Sequence, residues 1–312
     1  MTGMLTRLAS SASAVHLGLQ SIVTCTRLTA LHLLSAAEEV HVIENLHDLQ
    51  QLVHLQQLHL EDFKSLPDNL LYNLPEIQVL KPTDGQDNTY DLSDATQLTA
   101  LEVVQKDEWS LLRRLILPSG NSVQLQTFCL KCEGREAPEE QELSELVNLE
   151  AATGLQTLEL DTYYPRSLHQ AGWPQAMPSL TSLAVSNMLF EPARKWQNYS
   201  ALVKLRLTDM HSTSLPDWVA QLTGLRCLKL DNSFLQEFPA CILHLSQLEK
   251  LDLSGLLCPM MVPRAVTQLA DWPLLTRLDL RQGGNRELTF DSQLHILHLQ
   301  EALGHRQGVL QL

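Results

Sequence analysis

The sequence predicts an α/β solenoid, with a parallel sheet along one side and short helices and loops along the other. Two observations carry this. A six-residue pattern, Leu-x-x-Leu-x-Leu, returns along the chain, as in Leu225-Arg-Cys-Leu228-Lys-Leu230, Leu248-Glu-Lys-Leu251-Asp-Leu253 and Leu275-Thr-Arg-Leu278-Asp-Leu280. A period of roughly 20–30 residues is that of stacked coils, not of one globular core. About a fifth of the residues are Leu while aromatics make up 5%, so the core is built of aliphatic layers. At 312 residues a globular chain would divide into about two domains, but a solenoid lengthens without enlarging its core.

The clearest copies begin at Leu28, Leu55, Leu125, Leu155, Leu180, Leu202, Leu225, Leu248, Leu275 and Leu294, with a further good copy at Leu98 and a partial one at Ile77. That is about eleven or twelve coils, well beyond the roughly three that a solenoid requires. Residues 1–27 are read as an N-terminal helical half-repeat and residues 28–312 as the solenoid. Within each copy the last two Leu stand two apart, so they share one face of an extended strand. One strand cannot bury that face alone. Stacking the next strand beside it buries each Leu, worth roughly 1.5–3 kcal/mol apiece.

The return path is also visible. Leu215-Pro-Asp-Trp-Val219, Phe238-Pro-Ala-Cys-Ile242 and Leu66-Pro-Asp-Asn-Leu70 align, each with Pro followed by apolar residues at helical spacing. Pro suits the first helical turn, where its missing N–H costs nothing, so short helices are expected there. Trp196 and Trp272 align with core slots, whereas Trp173 and Trp218 align at an exposed-looking one. Two irregularities stand out. Pro82 fills the third apolar slot of the Ile77 copy and cannot donate a ladder hydrogen bond, which predicts an interruption of the sheet. Leu112-Arg-Arg-Leu115-Ile-Leu117 lies too close to both neighbouring copies for a third full coil. Residues 109–117 are therefore read as a helix on the return side, with a strand at 112–117 as the open alternative.

These repeats resemble the leucine-rich repeat family, over nearly the whole chain. The resemblance implies a curved horseshoe, with strands lining the concave face, and a protein-binding role. One departure is clear. Many members carry Asn three residues after the last repeat Leu, where its amide links neighbouring turns. Here those places hold Ala36, Phe63, Glu133, Tyr163, Met188, Met210, Ser233, Leu256 and Gly283. No amide ladder is expected, and the pattern is closer to irregular intracellular arrays such as those of F-box adaptors or nucleotide-binding immune receptors.

The net charge of −14 argues against nucleic acid, which demands cations at its phosphates, and against an anionic membrane surface. No stretch approaches the apolar length of a spanning helix, and Met1 to Gln20 makes a poor signal peptide. Scattered cysteines at 25, 129, 132, 227, 241 and 258 suggest reduced thiols in the cytoplasm. Cys129-Leu-Lys-Cys132 is a lone pair, half of a zinc site at most. His32 and His59 occupy the same slot of successive strands, while His295 and His298 flank the strand expected at Leu294. The glutamates at 133, 136, 139, 140, 142, 145 and 150 read as a solvated helix face. No nucleophile elbow, phosphate loop or dinucleotide motif is present. A non-enzymatic chain without metal or cofactor is expected.

Residues between the repeat leucines point away from the core. The central slots hold His32, His59, Lys81, Glu102, Cys129, Glu159, Ala184, Arg206, Lys229, Asp252, Asp279 and His298, and two residues further on come Lys131, Asp161, Asp231 and Arg281 among others. Glu159, Asp161, Arg206, Lys229, Asp231, Asp252, Asp279 and Arg281 are accordingly the candidate partner-binding residues, with Lys229 and Asp252 compensating each other. The expected function is a scaffold that holds a protein or peptide of mixed charge on this face. The alternatives are the substrate-recognition part of a ubiquitin-ligase adaptor or a sensor fragment of an immune receptor. Few residues follow the copy at Leu294, so edge-to-edge association through a poorly capped end is a further expectation.

Overall fold

The computed structural model describes residues 5–10, 27–35, 49, 51–63, 74, 77–84, 88–93, 95, 97–105, 112–117, 124–132, 147, 149, 152–167, 177–189, 199–210, 212–215, 217–254, 261–281, 290–303 and 310–311. The chain divides into two compact units. The first comprises residues 1–163 and 169–174, the second residues 164–168 and 175–312.

In the first unit the strands are β1 (Leu5–Ser10), β2 (Ala30–Ser35), β3 (Gln57–Phe63), β4 (Val79–Asp84), β5 (Asn88–Asp91), β6 (Ala100–Gln105), β7 (Leu112–Ile116), β8 (Thr127–Cys132) and the start of β9 (Thr157–Ser167). All pairings are parallel, in the order β1-β2-β3-β4-β6-β8-β9. The segment expected as a helical half-repeat, 1–27, thus contributes a strand. Its pairing of Leu5 with Ala30 through Ser10 with Ser35 satisfies backbone groups that β2 would otherwise leave open at an edge.

Pro82 does not interrupt the sheet. Strand β4 pairs with β6 through Val79–Ala100 and Leu80–Leu101, and again through Thr83–Val104 and Asp84–Gln105. The two residues between drop out of the ladder while its offset stays constant. On the other side a register shift separates Leu60–Pro82 from Phe63–Asp84. The missing N–H is absorbed locally: the offset to β6 is kept, while the register to β3 shifts by one residue.

Residues 112–116 are a strand, which corrects the helix read over 109–117. Strand β7 pairs with β5 in a separate two-stranded sheet, and Leu115 bridges Val147. The main sheet passes directly from β6 to β8, as the spacing argument requires. Leu115 and Leu117 lie two apart and are both buried, the period of a strand.

In the second unit the strands are β10 (Ser182–Leu189), β11 (Lys204–Thr208), β12 (Cys227–Asp231), β13 (Lys250–Asp252), β14 (Arg277–Asp279) and β15 (Leu310–Gln311). Neighbours pair in parallel without register shifts. Leu205, Leu228, Leu251 and Leu278 form one buried row, and Leu207, Leu230, Leu253 and Leu280 another. The residue before each strand accepts two N–H groups from the next coil: Val203 from Arg226 and Cys227, Arg226 from Glu249 and Lys250, Glu249 from Thr276 and Arg277. This repeated fork locks coil to coil at the point where the chain turns into the sheet.

The expected return helices are present as short 3-10 helices at Asp217–Gln221 and Ala240–His244, with a third at Arg264–Asp271. Pro239 precedes the second in extended geometry. A 3-10 helix advances about 2 Å per residue against 1.5 Å for an α-helix, so few residues span the back of a coil. The segment at Leu66–Leu70 lies outside the described residues. Trp272 is buried as expected. Trp218 is buried as well, 4% exposed, although its slot looks exposed in the repeat alignment. Trp173 and Trp196 fall outside the described residues.

Three equivalent repeat positions, one near the end of β10 and two in the turns after β11 and β12, share a backbone solution. Asn187, Asp209 and Asn232 have positive φ of 53°, 52° and 48°, a conformation that short polar side chains tolerate better than β-branched ones. Behind them Met210 and Ser233 are buried at the position where an asparagine ladder would sit. Main-chain bonding replaces that ladder: the Asp209 N–H donates to the Asp231 carbonyl at 3.0 Å, and the Ser233 hydroxyl donates to the same oxygen at 3.0 Å.

The copy at Leu294 is the largest correction. Residues Phe290–Leu303 form a 14-residue α-helix, so His295 and His298 lie on a helix and not beside a strand. Ser292, Ile296, Leu299 and Leu303 are buried, whereas Leu294 and Leu297 are 41% and 53% exposed. The buried set is spaced four, three and four apart, one face of a helix. The helix packs against the 3-10 helix Arg264–Asp271. The Val262 N–H donates to Ser292 Oγ at 2.9 Å, and His295 Nδ1 lies 2.7 Å from the Val262 carbonyl. That oxygen can only accept, so the ring carries a proton on Nδ1. Strand β15 then pairs with β14 through Leu278–Leu310 and Asp279–Gln311, which leaves β14 with neighbours on both sides.

A pair of substitutions separates helix from strand. Leu297→Glu should change stability by less than about 0.5 kcal/mol, whereas Leu299→Glu should cost more than about 3 kcal/mol by burying a charge. Equal losses in urea denaturation would return Leu294–Leu299 to the strand reading, in which both leucines are buried.

Candidate functional site

Alternation along each strand and constant register between strands place the outward side chains in columns. In the second unit the central column runs Ala184, Arg206, Lys229, Asp252, Asp279. Five consecutive central slots read from the sequence are therefore true neighbours. Asp231 stands beside Lys229 on the same strand, and Arg281 follows Asp279.

Their electrostatics differ along the column. Lys229 Nζ lies 3.1 Å from Asp231 and 3.8 Å from Asp252, the compensation expected of that pair. Asp252 Oδ1 also accepts the Ser254 N–H at 3.0 Å and its hydroxyl at 2.6 Å. Such half-exposed pairs contribute little to stability, and their value is in fixing side-chain direction.

Asp279 departs from expectation. Read as an exposed partner-binding residue, it has a fully buried side chain. Arg281 folds over it, with Nη2 at 2.6 Å from Oδ2 and Nε at 2.9 Å from Oδ1, while Arg277 Nη2 approaches Oδ2 at 3.2 Å. Burial alone would raise the carboxyl pKa, but the hydrogen bonds from Arg281 and Arg277 outweigh it and hold the pKa below the usual value. Asp279 is an anchor beneath two arginines, not a contact residue.

Arg206 is the opposite case. It is exposed, and its guanidinium Nε donates to Thr208 Oγ1 at 3.2 Å. Lys204 and Lys250, one alternation step before the central slots, are exposed as well. Among the described residues no carboxylate lies within ion-pair distance of Lys204, Arg206 or Lys250. The two lysines were absent from the sequence-derived set, although strand alternation places residue i−2 on the same face as the central slot.

In the first unit Glu159 and Asp161 belong to a different environment. Cys129 pairs with Glu102 and Glu159 across the ladder, and Lys131 with Asp161. Lys131 Nζ lies 3.4 Å from Glu102 and 3.9 Å from Glu159. Burial pulls the ammonium pKa down, but Cys129, Glu159 and Glu102 outweigh it and raise it above the usual lysine value. The Cys129 thiol is buried, and burial together with the carboxylates pushes its pKa up to about 12. A thiol held in its protonated form is neither a nucleophile nor a metal ligand at neutral pH. His32 and His59 do meet, stacked with ring centroids 3.9 Å apart and planes inclined by 11°. Among the described residues no group of three or more His, Cys, Asp and Glu could hold a metal ion, and no helix is long and apolar enough to cross a membrane.

No protein-family profile matches the sequence, and no curated protein matches it. Solved structures do. An internalin from Listeria monocytogenes superposes with a TM-score of 0.57 at 17% identity, covering 89% of this chain and 73% of its own. The chain has the leucine-rich repeat fold. Internalin C2 from the same organism (TM-score 0.42, 17% identity, 76% of this chain and 89% of its own) is also similar. So is a leucine-rich repeat protein of Leptospira interrogans (0.36, 17%, 96% and 88%). Neither of these two alignments is close enough to add to the fold argument. What supports the leucine-rich repeat fold from within is the parallel register of the inward leucines, constant from β10 to β14.

Two substitutions test the site's internal chemistry. Asp279→Asn should lower stability at pH 7 by about 1–3 kcal/mol, since two arginines lose a charged acceptor. The depressed carboxyl pKa contributes stability above the unfolded value and loses it as pH falls through the folded value. The gap between variant and wild type should therefore narrow below about pH 4 in denaturation measured against pH. For Cys129 the sign is reversed. Its raised pKa contributes stability that is complete below about pH 9 and lost as pH rises towards about 12. At pH 8 the folded chain should leave Cys129 unalkylated by iodoacetamide, read by peptide mass mapping, and unfolding should release it. Rapid labelling of Cys129 in the folded chain would contradict the buried, protonated thiol.

Proposed function

We propose that this chain is a non-enzymatic protein-binding module and that its partner docks on the outward face of the parallel sheet of the second unit. The observation that supports this most strongly is the ordered column from Ala184 to Asp279 with its flanking cations. Each outward side chain stands on a backbone held from beneath by buried leucines, about 4.8 Å from its neighbour on the next strand. Such a face is preorganised, so a partner meets fixed polar groups at low ordering cost. Mixed charge along the column, two cations followed by two carboxylates with Lys229 beside Asp231 and Asp252, suits recognition by charge register. The sequence carries none of the catalytic motifs sought in it.

A steric block tests this without altering charge. Ala184→Trp with Thr208→Trp adds bulk to two outward slots of adjacent strands. Proteins captured from an extract by the immobilised chain should fall at least about tenfold in this variant, at unchanged melting temperature. An identical captured set, compared by quantitative mass spectrometry, would move docking off this face.

A further inference from the structure

We infer that the outward face of strands β11–β14 takes an acidic peptide segment, with Lys204, Arg206 and Lys250 as its carboxylate-binding positions. This rests on the sheet-face reading above and names the chemistry of its partner.

The argument begins with a local reversal of charge. The chain carries a net charge of −14. Yet the outward positions of this ladder hold Lys204, Arg206, Lys229, Lys250, Arg277 and Arg281 against Asp231, Asp252 and Asp279. Six cations thus meet three carboxylates. All three carboxylates are committed: Asp231 and Asp252 to Lys229, and Asp279 to Arg277 and Arg281. The excess is carried by Lys204, Arg206 and Lys250, for which the described residues supply no carboxylate. Arg226, on the edge of the same face, is already neutralised by Glu249 at 2.7 Å. Unbalanced like charges on adjacent strands repel, so this arrangement costs the free chain stability that an anionic partner would recover.

The spacing selects the form of that partner. Lys204 and Arg206 share one strand and one face, about 6.6 Å apart, close to the repeat of alternate side chains in an extended peptide. Lys250 lies two strands from Lys204, about 9.6 Å away, within reach of a third acidic side chain on a segment that crosses the strands. Arg206 presents a planar fork that can grip a carboxylate through two nitrogens. Asp231 and Asp252 interrupt the positive field. They would repel a continuous phosphate chain, which carries a charge at every nucleotide. A peptide with discrete acidic side chains can place a neutral or basic residue opposite them. An acidic peptide is therefore favoured over nucleic acid.

Fluorescence anisotropy on the full chain provides the test, with labelled octaglutamate as the probe, octaglutamine as its neutral counterpart and oligodeoxythymidylate of equal charge as the nucleic-acid arm. Octaglutamate should bind and octaglutamine should not, and the affinity should fall as salt screens the charges. The triple variant Lys204→Gln, Arg206→Gln, Lys250→Gln should weaken binding by about tenfold or more, while Lys131→Gln in the first unit should leave it unchanged. Circular dichroism and melting temperature establish that each variant is folded. The proposal is overturned if octaglutamate fails to bind, if the triple variant binds it equally well, or if oligodeoxythymidylate binds more tightly. Loss of captured proteins in the Trp-substituted variant, with octaglutamate ignored, would keep the docking face and discard the acidic partner. Octaglutamate binding that depends on the three cations, with captured proteins unaffected by the Trp variant, would keep the acidic site and discard the docking reading.

Discussion

Everything in this chain depends on lateral burial of leucines between parallel strands. A three-residue strand such as β13 has almost no core of its own. Its Leu251 is buried because Leu228 and Leu278 stand on either side at matching register. The constraint is strict, because a slip of one residue would turn every leucine of that strand outward. It is also forgiving of local defects. Pro82 removes a donor and leaves two residues out of the ladder, yet the offset between β4 and β6 is the same on both sides of it. Burial sets the alignment, and hydrogen bonds follow where the chemistry allows.

The same register that buries the leucines arranges the outward side chains, and their composition then decides what each face does. In the first unit Lys131 sits among Glu102, Glu159 and Asp161. In the second, cations outnumber carboxylates at the outward positions of β11–β14, and among the described residues three of them have no carboxylate within ion-pair distance. One scaffold thus displays two unlike electrostatic surfaces, because outward positions contribute little to folding and are free to vary. Asp279 shows the limit of that freedom. A carboxylate between two arginines draws them inward and becomes part of the structure, although its place in the pattern is that of a contact residue.

Much of the architecture could be read from residue spacing. The central column from Ala184 to Asp279, the stacking of His32 on His59 and the passage from the strand at Ala100 to that at Thr127 follow from a repeat period combined with strand alternation. The misreadings have physical causes. Leu294-His-Ile-Leu297-His-Leu299 matches the repeat letter for letter, but Ser292, Ile296, Leu299 and Leu303 supply a competing helical stripe, and packing on the 3-10 helix beneath decides for it. Residues 112–116 lacked room in the main sheet, which spacing showed, but pairing with Asn88–Asp91 brings together two segments separated in the chain by strand β6.

By itself the sequence determined the class of fold, the strand positions that carry its core and the order of charges along the sheet. These follow from local periodicity and from the rule that a hydrophobic face must be buried, so they require no knowledge of distant contacts. Only the tertiary structure decided which charges are spent and which remain free. Asp279 is sequestered, Lys229 is shared by two aspartates, and Lys204, Arg206 and Lys250 find no counter-charge among the described residues, because side-chain reach across strands depends on geometry that spacing does not encode. Periodicity thus determined the scaffold, and cross-strand distance determined the chemistry that its face has left to offer.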